Sequence, residues 1–271
     1  MRLDTGIATT AEAPARETDY RLNGRESRPI TLWRVARPDA AFAQNAPCST
    51  SPDCVAEEGD LVLRVCGGEE YRLCRTPGDD VNLAVGHLFI RGVLRDASQI
   101  RALRVAENGL RAEIEVELEE APPFQCTPFG RDQRINKLSP ALLFALRDDF
   151  ENRQLLYRRT GAAHGAGLYT ARGELLTFGE DVGRHNAFDK AIGSALNAGR
   201  LHRAAIAMLS SRLALDLVQK AECAGVAMLA GFSVATSAAL DCAAAAGITL
   251  IGRLRDRSMN VYTHPGRLLP D

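Results

Sequence analysis

The sequence lacks any uninterrupted apolar run long enough to cross a bilayer, and its first twenty residues lack the apolar core of a secretory signal. It also lacks an excess of either charge, because 33 lysines and arginines oppose 34 aspartates and glutamates for a net charge of -1. This balance argues against a protein that binds nucleic acid in general, so no nucleic-acid partner is expected, and against a polybasic protein that binds a membrane. We therefore expect a soluble, cytoplasmic protein in which any basic site is local.

A C-x-x-C pair is also missing, although the chain has seven cysteines. They are Cys48, Cys54, Cys66, Cys74, Cys126, Cys223 and Cys242. An odd number spread through a large domain does not fit a disulfide framework, and the spacings do not fit a structural zinc site. The H-x-E and P-C-x-x-C signature of zinc deaminases is absent as well. We expect no metal held by the protein.

The chain is 46% hydrophobic over 271 residues, which is enough for one or two packed domains. Residues 1–30 are polar and predict a loose arm. Residues 31–125 predict a smaller, mainly antiparallel β region, with hairpin turns at Gly67-Gly68 and Asn108-Gly109 and one helix starting near Pro77 and Asp79. Residues 126–137 are rich in proline and glycine and predict a cysteine-containing loop or linker.

Residues 138–271 change to an alternation of helical patterns and short apolar runs. One long helix is predicted from about Pro140 to Tyr157, capped by Ser139, followed by a strand pair that turns at Arg172-Gly173. Further helices are predicted to begin near Asn186, Ser211 and Thr236. Continuous apolar strands between helices predict a largely parallel sheet covered on both faces, which is a three-layer α/β domain.

Polar residues follow each apolar run of this second half. The side chains among them that could bind a ligand are those of Arg184, His185, Ser211, Arg212, Arg253, Arg255 and Arg257. If the connections meet at one edge of the sheet, their guanidinium groups and helix N-termini would form an anion site suited to phosphate or pyrophosphate. The alternative is that each hydroxyl or amide only caps a helix and each arginine is a solvated charge. For His185 alone, a structural role is as plausible as a functional one.

Cys126 stands in the loop rich in proline and glycine, with Arg131 nearby. An exposed thiol beside a cation has a lowered pKa, which a nucleophilic or persulfide-carrying cysteine requires. The alternative is an inert loop cysteine.

Six stretches together resemble one family, the FdhD formate dehydrogenase accessory proteins. They are "RTPGDDVNLAVGHLFIRGVL" (75–94), "TGAAHGAGL" (160–168), "GEDVGRHNAFDKAIG" (179–193), "SSRLALDLVQKAECAG" (210–225), "SVATSAALDCAAAAGITLIG" (233–252) and "NVYTHPGRL" (260–268). The third stretch is highly specific, and the order of all six excludes a chance match.

The resemblance implies a sulfurtransferase that takes persulfide sulfur from a cysteine desulfurase. It implies that the sulfur passes to molybdenum bis(molybdopterin guanine dinucleotide), bound as a substrate, before this cofactor enters the catalytic subunit of formate dehydrogenase. It also implies a cytoplasmic homodimer with a cytidine-deaminase-like core. The cofactor-contacting segment of the family corresponds to Arg253, Leu254, Arg255, Asp256, Arg257 and Ser258, and the histidine of the second stretch is His164. We add Arg184, His185, Ser211 and Arg212 to this predicted binding set.

The sequence departs from the family at the sulfur-carrying C-x-x-C loop. Cys126 aligns with the first cysteine and Phe129 replaces the second, while another alignment deletes the motif. Because one thiol is chemically sufficient to hold a persulfide, a sulfurtransferase using Cys126 remains possible. A protein that binds or delivers the cofactor without sulfur transfer is the second hypothesis. A nucleotide deaminase, which would need bound zinc, is the third.

Overall fold

The computed structural model describes residues 25–35, 48–119 and 137–268, in which three sheets and six α-helices form. The first sheet is a hairpin of two antiparallel strands, β1 (Ser27–Val35) and β2 (Cys48–Ala56). β1 begins at Ser27, so residues 27–30 of the predicted loose arm belong to a strand. Residues 126–136 of the predicted loop and most of the arm predicted at 1–30 lie outside the described residues.

A four-stranded sheet follows, in the order β4-β3-β6-β5. Its strands are β3 (Gly59–Val65), β4 (Glu70–Arg75), β5 (Ile100–Asn108) and β6 (Arg111–Leu118). Only the central pair of strands is parallel, so the prediction of a mainly antiparallel region is confirmed. Both predicted hairpins are present. The second turns at Gly109 and Leu110, because Asn108 still pairs with Arg111 and Gly109 takes a φ of 60°.

Helix α1 (Asp80–Ile90) begins just after Pro77, as predicted, and covers one face of the four-stranded sheet. Its apolar side chains Leu83, Leu88 and Phe89 are fully buried in the same cluster as the sheet residues Leu61, Leu63 and Ile114. α1 thereby brings the first half of the chain against the second half, where it packs on helix α4 (Arg184–Asn197).

The largest sheet has six strands in the order β12-β11-β10-β9-β7-β8. These are β7 (His164–Tyr169), β8 (Leu175–Asp181), β9 (Ile206–Leu209), β10 (Met228–Gly231), β11 (Thr249–Gly252) and β12 (Asn260–Val261). The pairs β9–β10 and β10–β11 are parallel, whereas β7–β8, β7–β9 and β11–β12 are antiparallel. The expectation of a largely parallel sheet was therefore wrong, because the sheet is mixed. The short turn between β7 and β8 leaves no room for the crossover that a parallel pair needs.

Helices cover both faces of this sheet. α4, α5 (Leu215–Cys223) and α6 (Ser237–Ala245) share one apolar cluster with Ala207 and Leu209 of β9. α2 (Pro140–Arg153) shares a second cluster with Ile206 and Met208 of the same strand. Because alternate residues of a strand point to opposite faces, the predicted α/β domain has layers on both sides of its sheet. Its specific likeness to cytidine deaminases stays a prediction.

The single helix predicted from Pro140 to Tyr157 was wrong, because two helices occupy this region. α2 starts with Ser139 as its cap, as predicted, but ends at Arg153; α3 (Leu155–Thr160) follows after Gln154, which leaves helical geometry. Of the other three predicted helix starts, one is confirmed and two are displaced. Thr236 caps α6 as predicted, whereas α4 begins at Arg184 and α5 at Leu215.

Candidate functional site

Four strands of the large sheet end at the same edge. β9, β10 and β11 are parallel neighbours, and β7 is antiparallel to both β8 and β9. β8 therefore runs in the direction of β9, and β7 begins where the other four end. We call this edge, from His164 and Arg184 through Ser210–Arg212 to Arg253–Ser258, the strand-end rim.

The rim brings together the connections that the sequence singled out. Arg184 follows β8, Ser211 and Arg212 follow β9, Arg253 follows β11, and His164 is the first residue of β7. Because neighbouring strands lie about 4.8 Å apart, the four spacings from β8 to β11 span about 19 Å. The prediction that these connections share one edge of the sheet is therefore confirmed, and the edge is long enough for an extended ligand.

Backbone hydrogen bonds fasten neighbouring connections of the rim to one another. The amide of Phe232 donates to the carbonyl of Leu209 at 3.2 Å, and the amide of Arg253 donates to the carbonyl of Ser233 at 2.8 Å. The connections after β9, β10 and β11 are thus held side by side before any ligand binds.

Arg184 and His164 form the polar end of the rim beside β8. The Nε of Arg184 is buried, and the described ranges offer it no hydrogen-bond partner. Nδ1 of His164 lies 3.4 Å from Oγ of Ser210, which also accepts a hydrogen bond from the amide of Gly165 at 3.0 Å. Burial and the positive charge of Arg184 lower the pKa of His164. An anion placed here would meet a charged donor that still has a hydrogen bond to give.

The segment Arg253–Ser258 forms the other end of the rim. The amide of Arg255 donates to the carbonyl of Ser258 at 2.8 Å and closes a turn. Arg253 adopts a left-handed φ of 49°, and the side chains of Arg253, Arg255 and Arg257 are exposed. Three guanidinium groups are therefore available to solvent in five residues.

Two members of this segment do not behave as ligand contacts. The side chain of Leu254 is 1% exposed and lies in the apolar cluster with α2, so its predicted contact with the cofactor stays a prediction and is open only to the backbone. It anchors the segment instead. The carboxylate of Asp256 pairs with Arg147 of α2 at 2.5 Å from Nη2 to Oδ1.

His185 and Ser211 lie at the rim but make contacts within the protein. Nε2 of His185 is 2.8 Å from Oδ2 of Asp216 on α5, and burial lowers the pKa of His185. Ser211 is 5% exposed, and its hydroxyl donates to the carbonyl of Arg212 at 3.0 Å. These contacts favour the structural alternative for both residues.

The glutamate and aspartate of "GEDVGRHNAFDK" have clear structural partners. The Glu180 carboxylate accepts hydrogen bonds from the amides of Leu156 and Tyr157 at 2.8 and 2.9 Å. It therefore caps the N-terminus of α3. The sequence did not reveal this role, because Glu180 and α3 are distant along the chain.

Asp181 joins the rim to the segment that follows β4. Its carboxylate accepts from the amides of Thr76 and Gly183 at 3.0 and 2.8 Å and pairs with Nζ of Lys190 at 2.8 Å. The Lys190 ammonium also donates to the carbonyls of Thr76 and Glu180 at 3.0 and 3.2 Å. A lysine among the apolar residues of α4 was the only signal in the sequence for this buried network.

Asn186, near which a helix was predicted to begin, also belongs to this network. Its amide group donates to the carbonyl of Cys74 at 2.7 Å and to Asp181 at 3.0 Å. α4 starts two residues earlier than Asn186, and its N-cap position is Gly183.

Cys223 is disulfide-bonded, so the expectation of a chain without disulfides was wrong. Three of the described free thiols do not resemble activated nucleophiles. Cys54, Cys66, Cys74 and Cys242 are free, and burial raises the pKa of the last three, with nearby carboxylates adding to the effect. Cys126 and Phe129 lie outside the described residues, so the reactive thiol stays a prediction.

The described part of the chain contains no cluster of three or more His, Cys, Asp or Glu side chains that could hold a metal ion. The expectation of no protein-held metal stays a prediction for the whole chain. In the same ranges, every helix is too short or too polar to cross a membrane.

Comparison with known proteins gives a consistent family. The FdhD/NarQ family model matches residues 56–269. Sulfur carrier protein FdhD of Streptomyces avermitilis is 35% identical over 255 residues, covering 81% of this chain and 90% of that protein. Its namesake in Saccharolobus solfataricus is 32% identical over 256 residues, covering 87% of this chain and 98% of that protein.

A solved structure agrees. The crystal structure of a protein from Desulfotalea psychrophila, described as a formate dehydrogenase accessory protein, matches with a TM-score of 0.70 and 26% identity. The match covers 89% of this chain and 99% of that one. The resemblance seen in the motifs is thus confirmed by sequence and by fold, and the chain belongs to the FdhD/NarQ family.

Proposed function

We propose that this protein is a sulfur carrier for formate dehydrogenase, which holds sulfur as a persulfide on Cys126 and transfers it to molybdenum bis(molybdopterin guanine dinucleotide). The names of its relatives support the carrier role. The observation that carries the cofactor part is the strand-end rim, where Arg184, Arg212 and Arg253 follow strands that end at one edge.

The rim suits a multiply negative, extended substrate. Each guanine dinucleotide contains a pyrophosphate, which guanidinium groups bind through charge-assisted and often bidentate hydrogen bonds. Arg184 has an unused Nε donor at one end, and Arg255 and Arg257 are exposed at the other. A separation of about 19 Å between strands β8 and β11 gives room for more than one phosphate group.

The sulfur step requires a donor persulfide, for which we propose a cysteine desulfurase. The Cys126 thiolate attacks the terminal sulfur of the donor persulfide, one S–S bond forms as another breaks, and the donor thiolate leaves. Sulfur and electrons balance, so this exchange needs no external oxidant. The raised pKa values of Cys66, Cys74 and Cys242 make those thiols weaker competitors.

The test is an intact-mass measurement after incubation with a desulfurase and cysteine. The unaltered protein gains the mass of one sulfur atom, and a reductant removes it. Cys126→Ala abolishes the gain. Cys66→Ala, which removes an exposed free thiol, leaves the gain intact. Persistence of the gain in Cys126→Ala would exclude Cys126 as the carrier.

A second candidate is a cofactor-binding or delivery protein without sulfur transfer. It is favoured by one feature, Phe129 in place of the second cysteine of the family motif. This protein would bind guanine nucleotides yet show no mass gain with a desulfurase. A deaminase ranks last, since it would require zinc, which metal analysis of the purified protein detects.

We further propose that the carrier works in the cytoplasm as a homodimer that contacts the desulfurase and the catalytic subunit of formate dehydrogenase. Light scattering coupled to size-exclusion chromatography measures the oligomeric state. Co-purification with each of the two enzymes tests the contacts separately.

A further inference from the structure

An acidic residue sits in the middle of the most basic segment of the rim. Asp256 lies between Arg255 and Arg257. A free carboxylate there would repel the phosphates that the two arginines attract, because like charges a few ångströms apart are unfavourable. Its position needs a reason other than contact with an anion.

The structure gives Asp256 a partner on a different layer of the domain. Nη2 of Arg147, on α2, lies 2.5 Å from Oδ1 of Asp256. The Arg147 side chain is only 14% exposed, whereas that of Asp256 is 78% exposed. A largely buried guanidinium thus reaches the solvent-facing turn from below.

Contacts within α2 hold the side chain of Arg147 in place independently of Asp256. Nη1 lies 2.8 Å from Asp148, and Nη2 lies 2.8 Å from Glu151, one helical turn further along α2. Two carboxylates of its own helix therefore fix the guanidinium plane, and little side-chain entropy is lost when Asp256 binds.

The other contacts of the Arg253–Ser258 segment fix only its first residues. Its tip is held by the ion pair between Arg147 and Asp256. The amide of Leu254 donates to the carbonyl of Gly231 at 3.1 Å, and its side chain is buried. Beyond Leu254, the turn closes on itself through Arg255 and Ser258. Among the described contacts, the Arg147 pair is the one that ties the tip of this turn to another element.

We infer that Arg147 is a positioning residue that sets the orientation of the Arg253–Ser258 turn through Asp256, so that Arg255 and Arg257 face the guanine-nucleotide phosphates. Asp256 is accordingly a tether and not a ligand. This inference rests on the proposed function, because it assumes that the turn binds a guanine nucleotide.

The experiment measures GDP affinity by calorimetry in the full-length protein. Asp256→Ala removes a negative charge from a basic turn, so a purely electrostatic role predicts tighter binding. A tether predicts weaker binding, by roughly threefold to tenfold, the range for loss of a well-formed, partly buried ion pair. Arg147→Met weakens binding similarly, and Arg147→Lys restores part of the loss.

The matched control is Glu174→Gln, which removes the carboxylate partner of Arg203 in an exposed ion pair at the opposite end of the sheet. It leaves GDP affinity unchanged. The double variant Arg147→Met with Asp256→Ala binds no more weakly than Arg147→Met alone, since both changes break one contact. Unfolding curves identify any variant that loses its fold, and the exposed Asp256 change carries the test if Arg147→Met does so.

Unchanged or tighter binding by Asp256→Ala overturns the inference, and so do additive losses in the double variant. Failure of the unaltered protein to bind GDP overturns it as well. Sulfur loading of Cys126 is measured without any nucleotide, so failure of the inference and failure of the carrier function are distinguishable.

Discussion

Asp181 and Lys190 form an ion pair that is closed to solvent: Nζ lies 2.8 Å from Oδ2, and the two side chains are 0% and 2% exposed. Amides and carbonyls of the turn and of Thr76 satisfy their remaining hydrogen-bonding groups. Thr76 directly follows β4 of the four-stranded sheet, and Asp181 is the last residue of β8. The pair therefore connects the two halves of the chain. The stretch 179–193, which carries the family resemblance most specifically, therefore has a structural role beneath the strand-end rim.

Lys190→Met should strongly destabilise the fold, because it leaves the Asp181 carboxylate buried without its cation. We expect a loss of about 3–5 kcal/mol in the free energy of unfolding, measured by urea denaturation. Arg203→Ala, which breaks an exposed pair with Glu174, should cost less than about 1 kcal/mol. If both variants lost a similarly small amount of unfolding free energy, the buried pair would not be what holds the two halves of the chain together.

Glu180→Ala should loosen α3 locally, because the amides of Leu156 and Tyr157 lose their acceptor. The expected loss is about 1–3 kcal/mol, the scale for a buried group left unsatisfied. Hydrogen exchange measured at the two amides should accelerate more than exchange in α4. Glu180→Gln keeps an oxygen acceptor and should show a smaller effect; equal effects would argue against the capping role.

The sequence predicted correctly those turns and helix caps that depend only on neighbouring residues. The turns at Gly67-Gly68 and near Gly109, the cap at Ser139 and the cap at Thr236 depend on residues close in sequence. The shared edge of the strands was also predictable, because short apolar runs separated by helices give strands of one direction.

Long-range contacts decided what the sequence did not predict. The break at Gln154 depends on Glu180, and the position of Asn186 depends on Cys74, which is 112 residues away. The same applies within the site. Leu254 lies in a segment that the sequence resemblance predicts to bind cofactor, but packing against α2 turns its side chain into the core.

Gly86→Ala should disrupt the crossing of α1 and α4, where the two backbones touch. A Cβ on Gly86 would lie 1.9 Å from the carbonyl oxygen of Asp189, and one on Gly193 would lie 1.9 Å from that of Asn82. Backbone cannot move aside cheaply, so we expect a loss of about 3 kcal/mol or more in unfolding free energy. Gly266→Ala, with open space around it, is the control and should be nearly neutral.

Arg255→Ala and Arg257→Ala should each weaken GDP binding by about 1–3 kcal/mol, the scale of a hydrogen bond to a charged group. Arg184→Ala should do the same from the other end of the rim, and all three losses should shrink at high salt. Isothermal calorimetry provides the affinities. Arg203→Ala is the matched control, because Arg203 pairs with Glu174 at the opposite end of the sheet. Unchanged affinity in Arg255→Ala and Arg257→Ala would count against the rim as the binding site.

His164 should make stability and nucleotide binding depend on pH in opposite directions. Burial and Arg184 lower its pKa in the folded protein, whereas in the unfolded chain the pKa is about 6.5. As pH falls below about 6.5, the unfolded chain binds the proton first, so the free energy of unfolding decreases until pH passes the folded pKa.

A phosphate bound beside Arg184 favours the imidazolium, which raises the pKa of His164 and strengthens GDP binding as pH falls. His164→Gln should flatten both profiles, which urea denaturation and calorimetry measure over the same pH range. If the stability profile flattens and the binding profile does not, His164 titrates away from the ligand, and the nucleotide phosphates bind at another part of the rim.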